Sequence, residues 1–129
     1  MKKRIYYHDT DCGGVVYYSN YLKYMEEART EYFAQRGLSI KELSGEGTMF
    51  VIARVEIDYK FPAFYGDTLD IETVFVKVHR VKIEVEHTVK NQNNKVICQS
   101  KTLMVCVDKN IEPKAIPDDV MKRLGNTPR

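Results

Sequence analysis

One long amphipathic helix followed by several long strands predicts an α+β domain in which an antiparallel sheet covers the helix. The helix is expected over about residues 18–36, because apolar side chains recur there at the spacing of one helical face. We expect this face to pack on the sheet rather than to bind a cofactor. It comprises Tyr21, Met25, Ala28 and Tyr32, widened by Leu22 and Phe33. Gly37 is expected just beyond the helix end.

The residues after the helix change to the period of strands. Between residues 54 and 61, charged and apolar side chains alternate, as in a strand with one solvated face. Further strands are predicted over residues 69–78, 81–86 and 96–107, with residues 103–107 buried on both faces. A two-residue turn at His79-Arg80 and a four-residue turn at residues 91–94 are expected to close hairpins. A short last helix is predicted with Pro117 in its first turn and Gly125 after its end.

Composition restricts the class of protein. The 129 residues, without repeats or linkers, predict a single domain over residues 1–129, and the 43% hydrophobic and 29% charged content is ordinary for a globular protein. No apolar run approaches the roughly 20 residues of a membrane span, and the basic start lacks the apolar segment of a secretory signal. A net charge of +2 argues against nucleic acid as a partner. Three cysteines without metal spacing favour a reducing cytoplasm.

The strongest candidate for chemistry is the stretch over residues 6–21. Asp11 precedes Gly13-Gly14, which allow a sharp bend, and Ser19 and Asn20 are suitable N-cap residues for the helix. A carboxylate on one side of a bend and free helix amides on the other are the two halves of an acyl-transfer site. The same pattern is also common in plain turns, where acidic side chains bind nearby backbone amides. The residues alone leave both interpretations open.

The pattern Tyr-x-Asp-Thr-Asp-x-x-Gly-Val-Val-Tyr-x-x-Asn-Tyr, followed by Glu27-Ala28-Arg29, resembles the opening of a known enzyme family. This family comprises the hotdog-fold thioesterases of the 4-hydroxybenzoyl-CoA thioesterase type, and the likeness is greatest to the acyl-CoA thioesterases associated with the Tol-Pal system. Later segments resemble the family in the same order. They are Tyr59-Lys60-Phe61-Pro62-Ala63, Gly66-Asp67-Thr68-Leu69, and Val105-Cys106-Val107-Asp108 before Pro113.

The resemblance implies a hotdog fold, in which a curved antiparallel sheet wraps one long helix, and a homodimer or homotetramer whose subunits join their sheets edge to edge. It also implies hydrolysis of acyl-CoA to free acid and CoA without a cofactor, since CoA is part of the substrate. Asp11 would act as nucleophile or as general base, and a backbone N–H near Tyr18 would bind the oxyanion. Gly14 and Tyr17 are expected to contact the substrate. Asp9 and Arg29 are expected to have structural roles.

The phosphates of CoA need cations, which Lys60 near Pro62 or three candidates around one predicted hairpin could supply. The three hairpin candidates are His79, Arg80 and Lys82. A solvated turn kept soluble by charge explains these residues equally well. Many Tol-Pal-type relatives carry histidine in place of Tyr18 and glutamate in place of His8, so a step that uses that histidine is in doubt here.

Other chemistry has weaker support. His8 beside Asp9 lacks further ligands at metal spacing, so no metal is expected. Cys12 has no histidine placed to activate it and is interpreted as a small filler. A hydratase would need an Asp and His pair that we do not find, and the alternative function is a non-catalytic acyl-CoA or acyl carrier protein binding module. The acyl group, whether aliphatic or aromatic, and its carrier stay open.

Overall fold

A five-stranded antiparallel sheet packs on one long helix in the computed structural model, which describes residues 1–125. This architecture confirms the predicted α+β class. The elements in chain order are β1 Lys2–Arg4, α1 Asn20–Gln35, α2 Ile40–Gly45, β2 Met49–Tyr59, β3 Thr68–Val78, β4 Lys82–Lys90, β5 Val96–Val107 and α3 Asp118–Gly125.

The strand order is β1-β3-β4-β5-β2, and every neighbouring pair is antiparallel. The strand that follows the helical region, β2, is therefore an edge strand, and within residues 1–125 it pairs only with β5. Over its eleven residues, one row of backbone amides and carbonyls has no strand beside it within the described chain. A long unpaired edge of this kind is a template for pairing with another strand.

The predicted boundaries are correct to within a few residues. The prediction for β5 is confirmed at both ends, and β3 begins one residue earlier than expected. In contrast, β2 begins at Met49 because the apolar run before Arg54 continues the strand. The hairpin between β3 and β4 contains three residues between the strands rather than two, since the His79 N–H donates to the Lys82 carbonyl at 2.8 Å. Pro117 precedes α3 instead of occupying its first turn.

The buried face of α1 is largely the predicted one, with two exceptions near its start. Leu22 and Phe33 point in similar directions around the helix axis, yet Leu22 is 44% exposed and Phe33 only 1%. Phe33 packs on Phe50 and Phe75, with ring centroids 5.4 and 5.6 Å away. Nothing comparable covers Leu22, so the prediction that it widens the core is wrong. Tyr24, which the pattern missed, is buried instead.

A row of polar side chains divides the core into two apolar clusters. Thr73, His87 and Ser100 lie directly opposite one another on β3, β4 and β5, on the face that packs under α1. The cluster toward the start of α1 includes Tyr21, Met25, Ile71, Val89 and Cys98. The cluster toward its end includes Phe33, Phe75, Val85, Met104 and Leu124.

Two further sequence expectations concern the environment of the protein. No helix among residues 1–125 has the length and apolar character needed to cross a bilayer. Cys12, Cys98 and Cys106 are free thiols, the first exposed and the other two buried. The expectation of a reducing cytoplasm stays a prediction.

Candidate active site

The segment before the bend is a 3-10 turn over Tyr7–Asp9, and the short strand β1 at Lys2–Arg4 precedes it. The turn forms because Asp9 folds back on Tyr6. The Asp9 N–H donates to the Tyr6 carbonyl at 3.0 Å, and the Tyr6 N–H donates to Asp9 Oδ2 at 2.9 Å. Asp9 is only 7% exposed. Its predicted role in holding the loop agrees with these contacts.

Asp11 begins the tight bend that the two glycines close. Its N–H donates to the Val15 carbonyl at 2.9 Å, and its own carbonyl accepts from the Gly14 N–H at 3.0 Å. Gly14 has φ +80°, a conformation that favours glycine. The Gly13 N–H donates to Asp11 Oδ1 at 2.8 Å. One carboxylate oxygen therefore binds a nearby backbone amide, as it would in a plain turn.

The other carboxylate oxygen of Asp11 remains available for chemistry. Within residues 1–125 no donor binds Asp11 Oδ2, and the side chain is exposed in the single chain. A Cβ on residue 13 would lie 3.2 Å from Oδ1, so glycine there leaves room for the carboxylate. The two interpretations that the sequence left open are therefore compatible, because one oxygen closes the bend and the second has no donor among residues 1–125.

The helix begins differently from the capping that the sequence predicts. Ser19 occupies the N-cap position, but its hydroxyl caps no amide, because its backbone is helical (φ −73°, ψ −16°) rather than extended. Asn20 does not cap the helix either. Its side-chain Nδ2 donates to the Asp9 carbonyl at 2.9 Å, and the Tyr17 N–H donates to the same oxygen at 3.2 Å. The helix start is thus bonded to the loop that carries Asp11.

The backbone N–H of Tyr18 is the predicted oxyanion donor, and it is free. Among the described residues it donates to no protein acceptor, whereas the neighbouring Tyr17 N–H is bonded to Asp9. The Tyr18 carbonyl accepts from the Tyr59 hydroxyl at 3.2 Å, which connects this turn to the end of β2. A free amide at a helix start is a suitable donor for a developing oxyanion.

Tyr17 and Tyr18 share one exposed surface with Asp11. Their rings are 4.7 Å apart, and both are about half exposed. A hydrogen bond with the Tyr18 hydroxyl, followed by smaller contributions that include the Asp11 charge, raises the pKa of Tyr17. The structure therefore brings Asp11, Gly14, Tyr17 and Tyr18 together, as the motif predicts.

Exposed aromatic residues from the segment after β2 lie beside this surface. The sequence singles out Tyr65 as a residue that either lines the acyl tunnel or covers the strand end, but it does not single out Phe64. Val15 pairs with Phe64 through an isolated bridge, and the Val16 N–H donates to the Ala63 carbonyl at 2.9 Å. Tyr65 meets the Tyr7 ring edge-on at 5.9 Å. The sequence signal for this surface was the cluster of Phe61, Phe64 and Tyr65 directly after β2. Once the fold leaves such aromatic side chains exposed beside the bend, they indicate a ligand surface.

The predicted phosphate contacts of the hairpin lie elsewhere in the chain. His79, Arg80 and Lys82 flank the start of β4, whereas Asp11 and Tyr59 lie near its end, where Val89 pairs with Cys98. The nine residues of β4 span about 30 Å at about 3.3 Å per residue. One chain therefore does not bring these cations to its own Asp11.

His79 is also occupied by a neighbouring carboxylate. Its Nε2 lies 2.6 Å from Glu84 Oε2, and this hydrogen bond lowers the pKa of Glu84. Of the three hairpin candidates, Arg80 and Lys82 have no carboxylate within ion-pair distance among the described residues. A cation that does lie at the aromatic surface is Lys95, whose Nζ is 4.3 Å from the Phe61 ring centroid.

Metal ligands are not grouped in the part of the chain that the structure describes. No set of three or more His, Cys, Asp or Glu side chains there is arranged to hold an ion. His8 lies 3.8 Å from Asp9 and is otherwise solvent-exposed.

The bend, the helix start and the strands after them match a protein family over residues 6–124. The chain belongs to the thioesterase-like superfamily. The acyl-CoA thioester hydrolase YbgC of Escherichia coli O6:H1 is 33% identical over 119 residues, covering 92% of this chain and 89% of that protein. The acyl-CoA thioesterase YbgC of Haemophilus influenzae is 35% identical over 119 residues, covering 91% and 87%.

The hotdog fold predicted from the resemblance is confirmed by the family match and by the likeness to solved thioesterase structures. A thioesterase of Thermus thermophilus, solved in complex with coenzyme A and zinc, superposes with a TM-score of 0.82 at 28% identity. The match covers 96% of this chain and 89% of that one. The arrangement of one long helix on an antiparallel sheet is thus common to both.

Proposed function

We propose that this thioesterase-superfamily protein hydrolyses acyl-CoA thioesters to free acid and CoA at the surface formed by Asp11, Tyr17 and Tyr18. The observation that carries the proposal is the free Tyr18 N–H next to a bend whose carboxylate has one unbonded oxygen. The names of the Escherichia coli and Haemophilus influenzae relatives, which are acyl-CoA thioesterases, support the substrate class.

Asp11 acts on the thioester carbonyl by one of two routes. As a nucleophile, its oxygen bonds to the carbonyl carbon, the oxyanion collapses to expel the CoA thiolate, and water then hydrolyses the acyl–Asp11 anhydride. As a general base, it takes a proton from water while that water attacks the same carbon; the tetrahedral intermediate then breaks its C–S bond and expels the CoA thiolate, which takes the proton from Asp11. Both routes place negative charge on the carbonyl oxygen, where the Tyr18 N–H stabilises it. Loss of one such donor costs about 3 kcal/mol of transition-state stabilisation.

Tyr18 changes what the side chain at this position can do. In many relatives of the type that the motif resembles, a histidine stands here, but the oxyanion role belongs to the main chain and does not depend on the side chain. The Tyr18 ring instead packs on Tyr17 and lies 6.4 Å from the Tyr59 ring, edge-on. These rings and Gly14 form the surface along which the thioester arm reaches Asp11.

A second copy of the chain completes the site. Asp11 is open to solvent in one chain, and the apolar face of the edge strand β2 is uncovered, with Ile52 and Val55 being 44% and 39% exposed. Antiparallel pairing of two β2 strands would join the sheets edge to edge and cover these residues. It would also bring the partner's hairpin with Arg80 and Lys82 to the same end of the joined sheet as Asp11, where those cations can meet CoA phosphates.

The test measures the turnover of a panel of acyl-CoA thioesters with aliphatic and aromatic acyl groups, monitored through the release of free thiol. Wild type is expected to hydrolyse part of the panel, and Asp11→Asn to lose at least about a hundredfold in kcat, the usual scale for a positioned acid or base. Cys12→Ala is the matched control, because Cys12 is exposed, adjacent and outside the proposed chemistry.

Equal turnover by wild type and a folded Asp11→Asn variant would remove Asp11 from the mechanism. Thermal stabilisation by a non-hydrolysable acyl-CoA without turnover of any thioester, acyl carrier protein thioesters included, would favour the non-catalytic binding module instead.

A further inference from the structure

The carbonyl of Asp9 receives two donors from the start of α1. The Tyr17 N–H donates to it at 3.2 Å and the Asn20 Nδ2 at 2.9 Å. Tyr18 and Ser19 lie between these two donors in the chain. The peptide that carries the candidate oxyanion donor is therefore bracketed by two hydrogen bonds to one oxygen.

That oxygen belongs to the same loop as the catalytic candidate. Asp9 is buried and held by its own bonds to Tyr6, and Asp11 follows it after one residue. A displacement of α1 along its axis would change the distance from the Tyr18 N–H to the Asp11 carboxylate. The bonds to the Asp9 carbonyl oppose this displacement, because they link the start of α1 to the loop that carries Asp11. Asn20 is the only side chain among residues 1–125 that bonds to this carbonyl.

We propose that Asn20 is a positioning residue that holds the Tyr18 N–H and the Asp11 carboxylate in register by tying the first turn of α1 to the Asp9 carbonyl. This inference rests on the proposed thioester hydrolysis. Asn20 touches neither the substrate nor the reacting atoms; it acts through the backbone of residues 17–19.

The other contacts of residues 17–19 show why the Asn20 side chain is needed to fix the position of the Tyr18 N–H. The Tyr59 hydroxyl donates to the Tyr18 carbonyl from the side of β2. Among residues 1–125, the bond from the Tyr17 N–H to the Asp9 carbonyl is the single backbone hydrogen bond that joins residues 17–19 to the loop. If the hydrogen bond from the Tyr17 N–H to the Asp9 carbonyl were alone, rotation about it would change the direction in which the Tyr18 N–H points. An oxyanion donor must lie about 2.7–3.1 Å from the developing charge, and a misplacement of about 1 Å can cost about a hundredfold in rate.

The neighbouring residue offers a matched control. Ser19 is a polar residue of similar exposure at the same helix end, and its side chain bonds to nothing in the described chain. Asn20→Ala removes the Nδ2 donor and introduces the best helix former, so α1 is expected to persist. Asn20→Asp keeps the shape of the side chain but presents oxygens, which cannot donate to the Asp9 carbonyl.

The experiment measures kcat and KM for a hydrolysed acyl-CoA, together with amide hydrogen exchange at Tyr17. Asn20→Ala and Asn20→Asp are expected to lower kcat by about 10- to 100-fold, with KM changed by no more than about twofold because binding contacts are untouched. Exchange of the Tyr17 amide should accelerate in both variants. Ser19→Ala should match wild type in all three quantities.

The outcomes separate this inference from the function on which it rests. If Asp11→Asn is inactive while both Asn20 variants keep the wild-type kcat, the inference is overturned and the proposed function stands. If the Asn20 variants lose kcat but Ser19→Ala loses as much, the effect is a general one on the helix end and the inference is again overturned. Equal turnover by wild type and Asp11→Asn would overturn both.

Discussion

His87 lies in the middle of the buried polar row, with 1% of its surface exposed. Its Nδ1 is 3.5 Å from the Ser100 hydroxyl, which in turn lies 3.3 Å from the Met25 sulfur. No group among residues 1–125 bonds to its Nε2. Burial, with a smaller contribution from the nearby Arg29 guanidinium, lowers the pKa of His87 to about 3. The side chain is therefore neutral in the folded protein at ordinary pH.

This lowered pKa predicts acid sensitivity. An unfolded histidine takes up a proton near pH 6.5, but the folded one does so only near pH 3. Between these values the unfolded state binds more protons, so the free energy of unfolding should fall as the pH is lowered, with His87 adding up to about 1.4 kcal/mol per pH unit. We therefore expect the free energy of unfolding, measured with urea between pH 7 and 4, to fall less steeply with decreasing pH in His87→Gln than in wild type.

The exposed His8 provides the control for that measurement. His8→Gln makes the same chemical change at a side chain that is 82% exposed, so it separates the effect of burial from that of the substitution itself. The carboxylates that also lose stabilisation in acid, Glu84 among them, are common to all three proteins. An identical slope for wild type and His87→Gln would show that burial of this histidine does not govern the acid response.

At the scale of elements, the end of α1 is held by α3. Gly37 follows α1 with φ +73°, as the sequence predicts for a helix end. Nη1 of Arg123 in α3 donates to the carbonyls of Arg36 and Gly37, at 3.2 and 3.0 Å, and its Nε lies 3.4 Å from Asp119. A cationic donor thus satisfies carbonyls that the helix end leaves without partners.

Removal of this contact should loosen the packing of the two helices without abolishing the fold. Because Arg123 is partly exposed, we expect Arg123→Ala to lower the free energy of unfolding by only about 1 kcal/mol, measured by urea denaturation. Lys122→Ala is the matched control on the same helix, since Lys122 is exposed and makes no ion pair among the described residues. Equal destabilisation by both substitutions would show that helix propensity, not the contact, is responsible.

At the scale of the whole molecule, the candidate site and the edge strand β2 are both exposed in the single chain. The groove of about 250 Å³ beside α1 is lined by both polar and apolar side chains of the helix and of β2, including Arg29, Phe33 and Ile52. The desolvated guanidinium of Arg29 has its pKa lowered by burial. The apolar side of β2 and this groove lie along the same open edge that the proposed dimer would cover.

A charge on the apolar face of β2 should therefore separate the subunits. We expect Val55→Lys to convert an oligomer to a monomer, measured by light scattering after size-exclusion chromatography, and to lower thioesterase activity with it. Burial of an unpaired ammonium at an interface is strongly unfavourable. Val74→Lys is the control, because Val74 is 41% exposed, close to the 39% of Val55, but faces the opposite side of the sheet on β3. A monomeric wild type with full activity would contradict the proposed assembly.

The sequence by itself predicted the features that depend on local chemistry. Residues 21–33 follow a helical period, and residues 96–107 are rich in β-branched side chains, so α1 and β5 could be located to within a residue or two. The Asp11-Gly13-Gly14 bend was also readable, since a positive φ at Gly14 and a short acidic side chain before it are local requirements.

Only the tertiary structure decided what these elements meet. Asn20 looked like a helix cap because a sequence shows no competing acceptor, but the fold presents the Asp9 carbonyl to it. His79 and Arg80 are placed at the far end of β4 from Asp11 by strand order, which no local pattern encodes. The apolar face of β2 reads as core in the sequence and is open in the chain, because burial depends on which element, or which second chain, packs against it.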